Sequence, residues 1–190
     1  RQRARNFYYG LRLTPEPKRS AIYSVYAWMR AADDAVDEAG TLEERRARLD
    51  DFADWTWTVL AGIGPPATSG SRERACRDWL ALSLAETARQ YRLPPSIFDD
   101  MIDGLRTDLA RPELQTEAEL ERYCYGVAGT AGLACLAIWG LRPGADASEA
   151  RELALHRGQA FQRTNILRDF AEDYDGLAAA RSGPHERDHR

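Results

Sequence analysis

Apolar positions along this chain recur at the spacing of helices and nowhere at that of strands. Ile22, Val25, Met29, Ala32 and Val36 step by three or four residues and define one stripe of a helix. Thr14 is placed to cap that helix, Pro15 and Pro17 suit its first turn, and Gly40 marks its end. Thr41-Leu42-Glu43-Glu44 has the form of a capping box and opens a second helix reaching Leu60. Trp55 and Trp57 fall on different faces of it, so at least one of them is expected to be exposed. Gly, Pro and Ser crowd residues 62–71 into a loop, after which a third helix runs from about Arg72 to Tyr91. Pro94-Pro95-Ser96 breaks the chain and caps a fourth, with Ile97, Met101 and Leu105 on one face. Thr116-Glu117-Ala118-Glu119 is a second capping box, starting a helix that continues to Trp139. A turn follows from Gly140 to Ala147, and Ser148 caps a last long helix to about Tyr174. The expectation is an all-α fold of six helices, without strands or internal repeats.

Two segments change this picture in detail. Tyr123 to Leu141 carries no charge, and its length approaches that of a membrane span. Its density of Gly and Ala (Gly126, Ala128, Gly129, Ala131, Gly132, Ala134) makes a buried central helix the better reading. Leu177 to Arg190 has no apolar period and is expected to be an unpacked polar tail, leaving 1–176 as a single helical domain.

The 190 residues suit one domain with a sizeable core, and 44% apolar with 29% charged residues is the balance of a globular protein. A formal net charge of −4 and the absence of a polybasic run argue against nucleic-acid binding. Cys76, Cys124 and Cys135 have no metal-ligand spacing; the last two read as small core residues, and a reducing cytoplasm is the default setting. The chain opens on Arg1 with no visible signal peptide.

The candidate chemistry lies in two acidic stretches. On the first helix Tyr26, Arg30, Asp33 and Asp37 project within about 60° of one another, on the shoulder of the apolar stripe. Acids beside a core-facing stripe need a cationic partner, because unpaired buried charge is costly. On the last helix Gln162, Asn165, Asp169 and Asp173 share a face, with Ala160, Thr164, Leu167, Ala171 and Tyr174 opposite. One Asp-x-x-x-Asp is usually a solvated face. Two facing copies would crowd four carboxylates together, which is poor as pure structure and reasonable if Mg²⁺ fills the gap. Arg30 and Arg168 suit diphosphate oxygens, so the implied chemistry is departure of a diphosphate. Paired-acid glycoside chemistry fits less well, because both acids of each pair lie on one helix. His156, His185 and His189 fall near neither cluster in sequence.

Four segments together resemble the squalene/phytoene synthase family. They are Asn6-Phe7-Tyr8-Tyr9-Gly10, Tyr26 through Asp33-Asp34 to Asp37, Tyr123-Cys124-Tyr125-Gly126-Val127-Ala128-Gly129-Thr130, and Asn165-Ile166-Leu167-Arg168-Asp169 with Glu172-Asp173. They occur in the family's order over residues 5–175, and the first is most like the bacterial presqualene-diphosphate and hopanoid branch. The resemblance implies an isoprenoid-synthase helical bundle around an apolar cavity. It also implies head-to-head joining of two prenyl diphosphates, farnesyl or geranylgeranyl, to a squalene- or phytoene-type product. By that resemblance Asp33, Asp37, Asn165, Asp169 and Asp173 hold Mg²⁺, Tyr26, Arg30 and Arg168 contact diphosphate, and Tyr123 and Gln162 lie near the reacting carbons. Ala128, Ala131 and Gly132 would leave room for prenyl chains or serve close helix packing. A cytoplasmic enzyme touching the membrane peripherally to release an apolar product is the implied setting. Family members follow the second acidic motif with a basic, aromatic flap and further helices. Asp175-Gly176-Leu177 leads into nothing similar, which implies a C-terminally truncated form. A terpene cyclase or chain-elongating prenyltransferase would also carry Asp33-Asp34-x-x-Asp37, and a non-catalytic helical interaction domain would carry its acids as decoration.

Overall fold

The computed structural model describes residues 11–63, 72–110 and 114–181. The aromatic cluster at residues 6–10, most of the 62–71 loop and residues 182–190 lie outside the described residues. The chain forms α1 (Lys18–Asp37), α2 (Leu42–Leu60), α3 (Arg72–Tyr91), α4 (Ser96–Ala110) and α5 (Glu117–Cys124). A π-helical turn (Tyr125–Gly129) then leads into α6 (Thr130–Trp139), and α7 (Ala147–Arg181) follows. No strand occurs among the described residues.

The expected stripe places α1 at the centre, where it packs against α2, α3, α4 and α6. Ile22, Val25, Ala32 and Val36 are buried, as the periodicity requires. Trp28, outside that stripe, is buried as well, with 0% exposure. Its indole Nε1 donates to Thr56 Oγ1 at 3.0 Å. The ring of Phe98 stands edge-on to it at 4.9 Å, and Phe52 lies 5.9 Å away. The hydroxyl lets α1 bury a second face, because a buried N–H without a partner costs about 1–3 kcal/mol. Trp55 and Trp57 are both half-buried, so neither is fully exposed as the sequence suggested.

Both capping boxes form, Thr41 with Glu44 and Thr116 with Glu119. Two other caps differ from expectation. Pro17 occupies the position before α1, because a proline disfavours helical geometry in the residue ahead of it. The Glu16 carboxylate then accepts the Ser20 N–H at 3.1 Å, while buried Thr14 accepts from Trp139 Nε1 at 3.3 Å. At α7 the cap is Asp146, not Ser148: its Oδ1 accepts from the N–H groups of Ser148 (2.7 Å) and Glu149 (3.0 Å). A carboxylate serves both the orphan donors and the helix dipole. α7 also runs past Tyr174 to Arg181, into the segment expected to be an unpacked tail.

The uncharged stretch is interrupted by the π turn where the sequence suggested one continuous helix. Three neighbours approach it backbone to backbone. A Cβ on Gly126 would lie 2.8 Å from Gly104 Cα, one on Gly158 2.5 Å from the Ala128 carbonyl, and one on Gly132 2.5 Å from the Ala154 carbonyl. Glycine is required at these contacts because any side chain would force α4 or α7 away. Gly132 therefore serves close packing, whereas at Ala128 it is the backbone carbonyl and not the side chain that Gly158 meets. Among the described residues no helix is long and apolar enough to cross a membrane.

Candidate active site

The first acidic stretch occupies the last turns of α1, and burial of Ala32 and Val36 fixes which way that end faces. Two arginines of α2 hold its final carbonyls. Arg45 Nε donates to the Val36 carbonyl, and Arg48 donates to those of Ala35 (3.1 Å) and Glu38 (2.8 Å). On this anchored end Asp33 is half-buried, while Asp34 and Asp37 are exposed. Arg30 pairs with Asp34. Burial pushes the Asp33 carboxyl up to about 6; Arg30 opposes the rise, and the charges of Asp37, Asp34 and Asp108 add to it. The cation expected beside these acids is thus Arg30, and it does not balance them.

On α7, Gln162, Asn165 and Asp169 are half-buried on one face. That helix packs against α5, the π turn and α6. Asn165 Nδ2 donates to Gln162 Oε1 at 3.5 Å, and Arg168 pairs with Asp169 at 3.0 Å. The side chain of Asp173 lies outside the described residues. α6 stands between the two acidic helices, packed against both.

Tyr123 joins the two sides. Asp108 of α4 and Gln162 of α7 stand next to its hydroxyl. Burial pushes the phenol up to about 12; the charge of Asp108 and the hydrogen bond to it add to this, and the bond from Gln162 opposes it. Asp108 is a neighbour of the candidate site that the sequence reading did not single out. Its signal was present in the spacing Asp100, Gly104, Asp108, which shares one face of α4.

A small apolar pocket of about 20 Å³, room for roughly one water molecule, lies between α1 and α6. Ile22, Tyr26, Met29, Ala131, Cys135 and Ile138 line it. Burial there raises the Cys135 thiol to about 11, keeping it neutral. Of the three small residues considered for the cavity wall, Ala131 alone lines it. That is far below the roughly 300–1,000 Å³ of ordinary ligand pockets, so this pocket as it stands does not enclose a prenyl chain.

Among the described residues no three His, Cys, Asp or Glu side chains converge to hold a metal by themselves. The donors available (Asp33, Asp37, Asn165, Asp169) are all oxygens, and the uncompensated charge around Asp33 favours a cation. This set fits Mg²⁺, which takes one or two carboxylates and completes its shell with water and phosphate oxygens.

A family model described as squalene/phytoene synthase matches residues 1–182. The chain belongs to that family. It is 37% identical over 180 residues to a chloroplastic phytoene synthase of Daucus carota, covering 90% of this chain and 40% of that protein. It is 35% identical over 181 residues to the phytoene synthase of Mycobacterium tuberculosis, covering 92% of this chain and 52% of the relative. Among solved structures, a dehydrosqualene synthase in complex with ligand superposes with a TM-score of 0.72 at 30% identity. That match covers 90% of this chain and 54% of the other. A squalene synthase from Alicyclobacillus acidocaldarius superposes at 0.67, also at 30% identity, over 85% of this chain and 55% of that one. The chain thus spans about half the length of the relatives it matches. These likenesses agree with the all-α isoprenoid-synthase architecture expected from the sequence.

Proposed function

We propose that the protein takes part in Mg²⁺-dependent head-to-head condensation of two prenyl diphosphates. The observation that supports this reading is the crowded, desolvated Asp33 near the end of the same helix whose Ile22, Tyr26 and Met29 line an apolar pocket. A substrate with a charged head and a hydrocarbon tail needs those two environments side by side.

Asp33 and Asp37 on one helix and Asn165, Asp169 and Asp173 on the other are the residues that would hold Mg²⁺. The bound metal supplies neutralisation of the charge that develops on departing diphosphate. Arg30 and Arg168, now paired with Asp34 and Asp169, exchange those partners for phosphate oxygens, and Tyr26 orients the same group from the cavity rim. Departure of the first diphosphate leaves an allylic cation, which alkylates the double bond of the second molecule. Loss of a proton then closes a cyclopropylcarbinyl diphosphate. The apolar wall keeps water from the cation, and the Tyr26 and Tyr123 faces stabilise it.

Most named relatives are phytoene synthases, so we assign two geranylgeranyl diphosphates and a C40 product. Incubation with geranylgeranyl or farnesyl diphosphate and Mg²⁺, followed by mass spectrometry, tests this. A C40 hydrocarbon or its cyclopropyl diphosphate is expected. A C30 product would correct the chain length, and neither product would overturn the reading for this chain.

A further inference from the structure

The condensation chemistry uses Tyr123 but neither Tyr125 nor Thr130, which stand at the two ends of the π turn that follows it. A π turn spends each amide hydrogen one residue further back than an α-helix does. The Thr130 N–H accordingly donates to the Tyr125 carbonyl, and the Gly126 carbonyl, its α-helical acceptor, loses that donor. The Thr130 hydroxyl takes the vacated place, donating to the Gly126 carbonyl at 2.9 Å from a side chain with 0% exposure. Thr56, Thr58, Thr107 and Thr164 also donate to the carbonyl four residues back. They do so within regular helix, where that carbonyl already receives the backbone N–H. At Thr130 the hydroxyl replaces the amide instead of joining it. It therefore stabilises the π winding over the α winding, because it satisfies the buried carbonyl that the π winding leaves short.

The turn is also held from outside. Tyr125 donates its hydroxyl to Asp100 of α4, one helical turn before Gly104, which meets Gly126 backbone to backbone. The Tyr125 ring folds over Gly129, where a Cβ would lie 3.0 Å from its Cδ2. α7 meets the Ala128 carbonyl through Gly158. One hydroxyl thus sets how the turn winds, and the other ties it to the helix it crosses.

We propose that Thr130 and Tyr125 are positioning residues for the condensation: together they hold the π turn in its winding and on α4, and so fix the angle between Tyr123 before it and Ala131 and Cys135 after it. Thr130→Val keeps the shape of the side chain and removes the hydroxyl. The Gly126 carbonyl can then regain a donor from Thr130 only as the amide, which is the α-helical winding, and Tyr123 turns with it. Thr130→Ser keeps the hydroxyl. Tyr125→Phe keeps the ring over Gly129 and releases it from Asp100.

The role in turnover rests on the condensation reading; the hydrogen bond does not, and the test separates them. Gly126-Val127 is the one Gly-Val pair in the sequence. Protein carrying ¹³C at glycine carbonyls and ¹⁵N at valine therefore gives a single correlated NMR line, that of the Gly126 carbonyl. Thr130→Val is expected to move this line and Thr130→Ser to leave it close to the wild-type position. In turnover with whichever prenyl diphosphate the wild type converts, Thr130→Val should lower kcat about 100-fold with KM nearly unchanged, the cost of a misplaced reactive geometry. Thr130→Ser should restore most of that rate. Tyr125→Phe should cost about 10-fold in kcat, since one of the two holds remains. Thr56→Val, which loses an equally buried threonine bond inside regular helix, should leave kcat near normal. An unmoved Gly126 line in Thr130→Val overturns the proposal whatever the kinetics, as does a moved line with full kcat. Equal losses in the Val and Ser variants, or an equal loss in Thr56→Val, also overturn it, because the hydroxyl at this place is then not the cause. If wild-type protein forms no product, the condensation reading fails for this chain and the role in turnover with it, while the line still decides the bond. Should Thr130→Val not fold, Tyr125→Phe decides: unchanged kcat overturns the proposal, and a 10-fold loss at constant KM supports it.

Discussion

The two acidic helices solve opposite problems. α1 is enclosed by four other helices, and its acids sit at an end held by Arg45 and Arg48 of α2. α7 is held from one side only. Its inner face carries Gln162, Asn165 and Asp169, while Leu153, Leu167 and Phe170 stand 60–72% exposed elsewhere on the helix. On α1 the charge is the irregularity in an apolar setting. Among the described residues of α7, Ala154 and Leu155 pack on the core, polar groups share the inward side further along, and several large apolar side chains face solvent. The lesson is that similar Asp-x-x-x-Asp spacing gives carboxylates with different energetics: Asp33 is crowded by other acids, and the equally half-buried Asp169 is paired with Arg168.

Substitutions can break or sharpen that contrast. The largest effect is expected from Asp33→Ala, which should lower condensation turnover by about 10³-fold with helix content by circular dichroism unchanged, since it removes charge aimed at the reacting head group. Undiminished turnover would refute the metal assignment.

Next comes a gain in stability from the same position. The Asp33 carboxyl ionises near 6 in the fold against 3.8 unfolded, so folding favours its protonated form. The penalty for ionising it is absent below the unfolded value, grows as pH rises toward about 6 and is complete above that. Asp33→Asn should therefore stabilise the metal-free protein at pH 7 by about 2–3 kcal/mol in urea unfolding, with the gain vanishing near pH 4. Mg²⁺ should narrow the difference by favouring the wild type.

Gly158→Ala addresses the other helix. Its Cβ would meet the Ala128 carbonyl at 2.5 Å, and both atoms belong to rigid backbone. A loss of about 1–3 kcal/mol in the same assay is expected, as for an overpacked core. Thr56→Val, which strips the Trp28 indole of its acceptor, should cost about 1–2 kcal/mol and leave turnover close to normal. The smallest change is expected from Asp169→Asn, within about 0.5 kcal/mol in stability, because its partner pair is exposed.

Local rules made much of this legible in advance. The capping boxes at Thr41 and Thr116 and the stripe on α1 appear as read, because each depends on residues within a turn or two. What escaped depends on contacts between distant segments. Asp108, exposed in the fold, stands out only because α4 crosses the Tyr123 segment at Gly104 and Gly126 and brings it next to the phenol. Trp28 lies off the apolar stripe and is buried because Thr56 of α2 supplies a hydroxyl. Thr14 and Ser148 are good caps by composition, and each lost the role to a neighbouring carboxylate with a better approach. Gly132 shows why a small residue is ambiguous: the same missing side chain admits a hydrocarbon tail or another backbone.

The π turn between α5 and α6 works as a register gauge. It holds one residue more than α-helical winding would need, so everything before it is rotated by about 100° relative to everything after. Tyr123 lies before it and Ala131 and Cys135 lie after it. The extra residue is what lets one continuous stretch of chain present a phenol to the polar wall and small side chains to the apolar cavity. Deleting Val127 would restore a regular helix of nearly the same composition. It would also turn Tyr123 a quarter of a revolution away from Asp108, so the partition between charged and oily halves is written in the count of residues as much as in their identity.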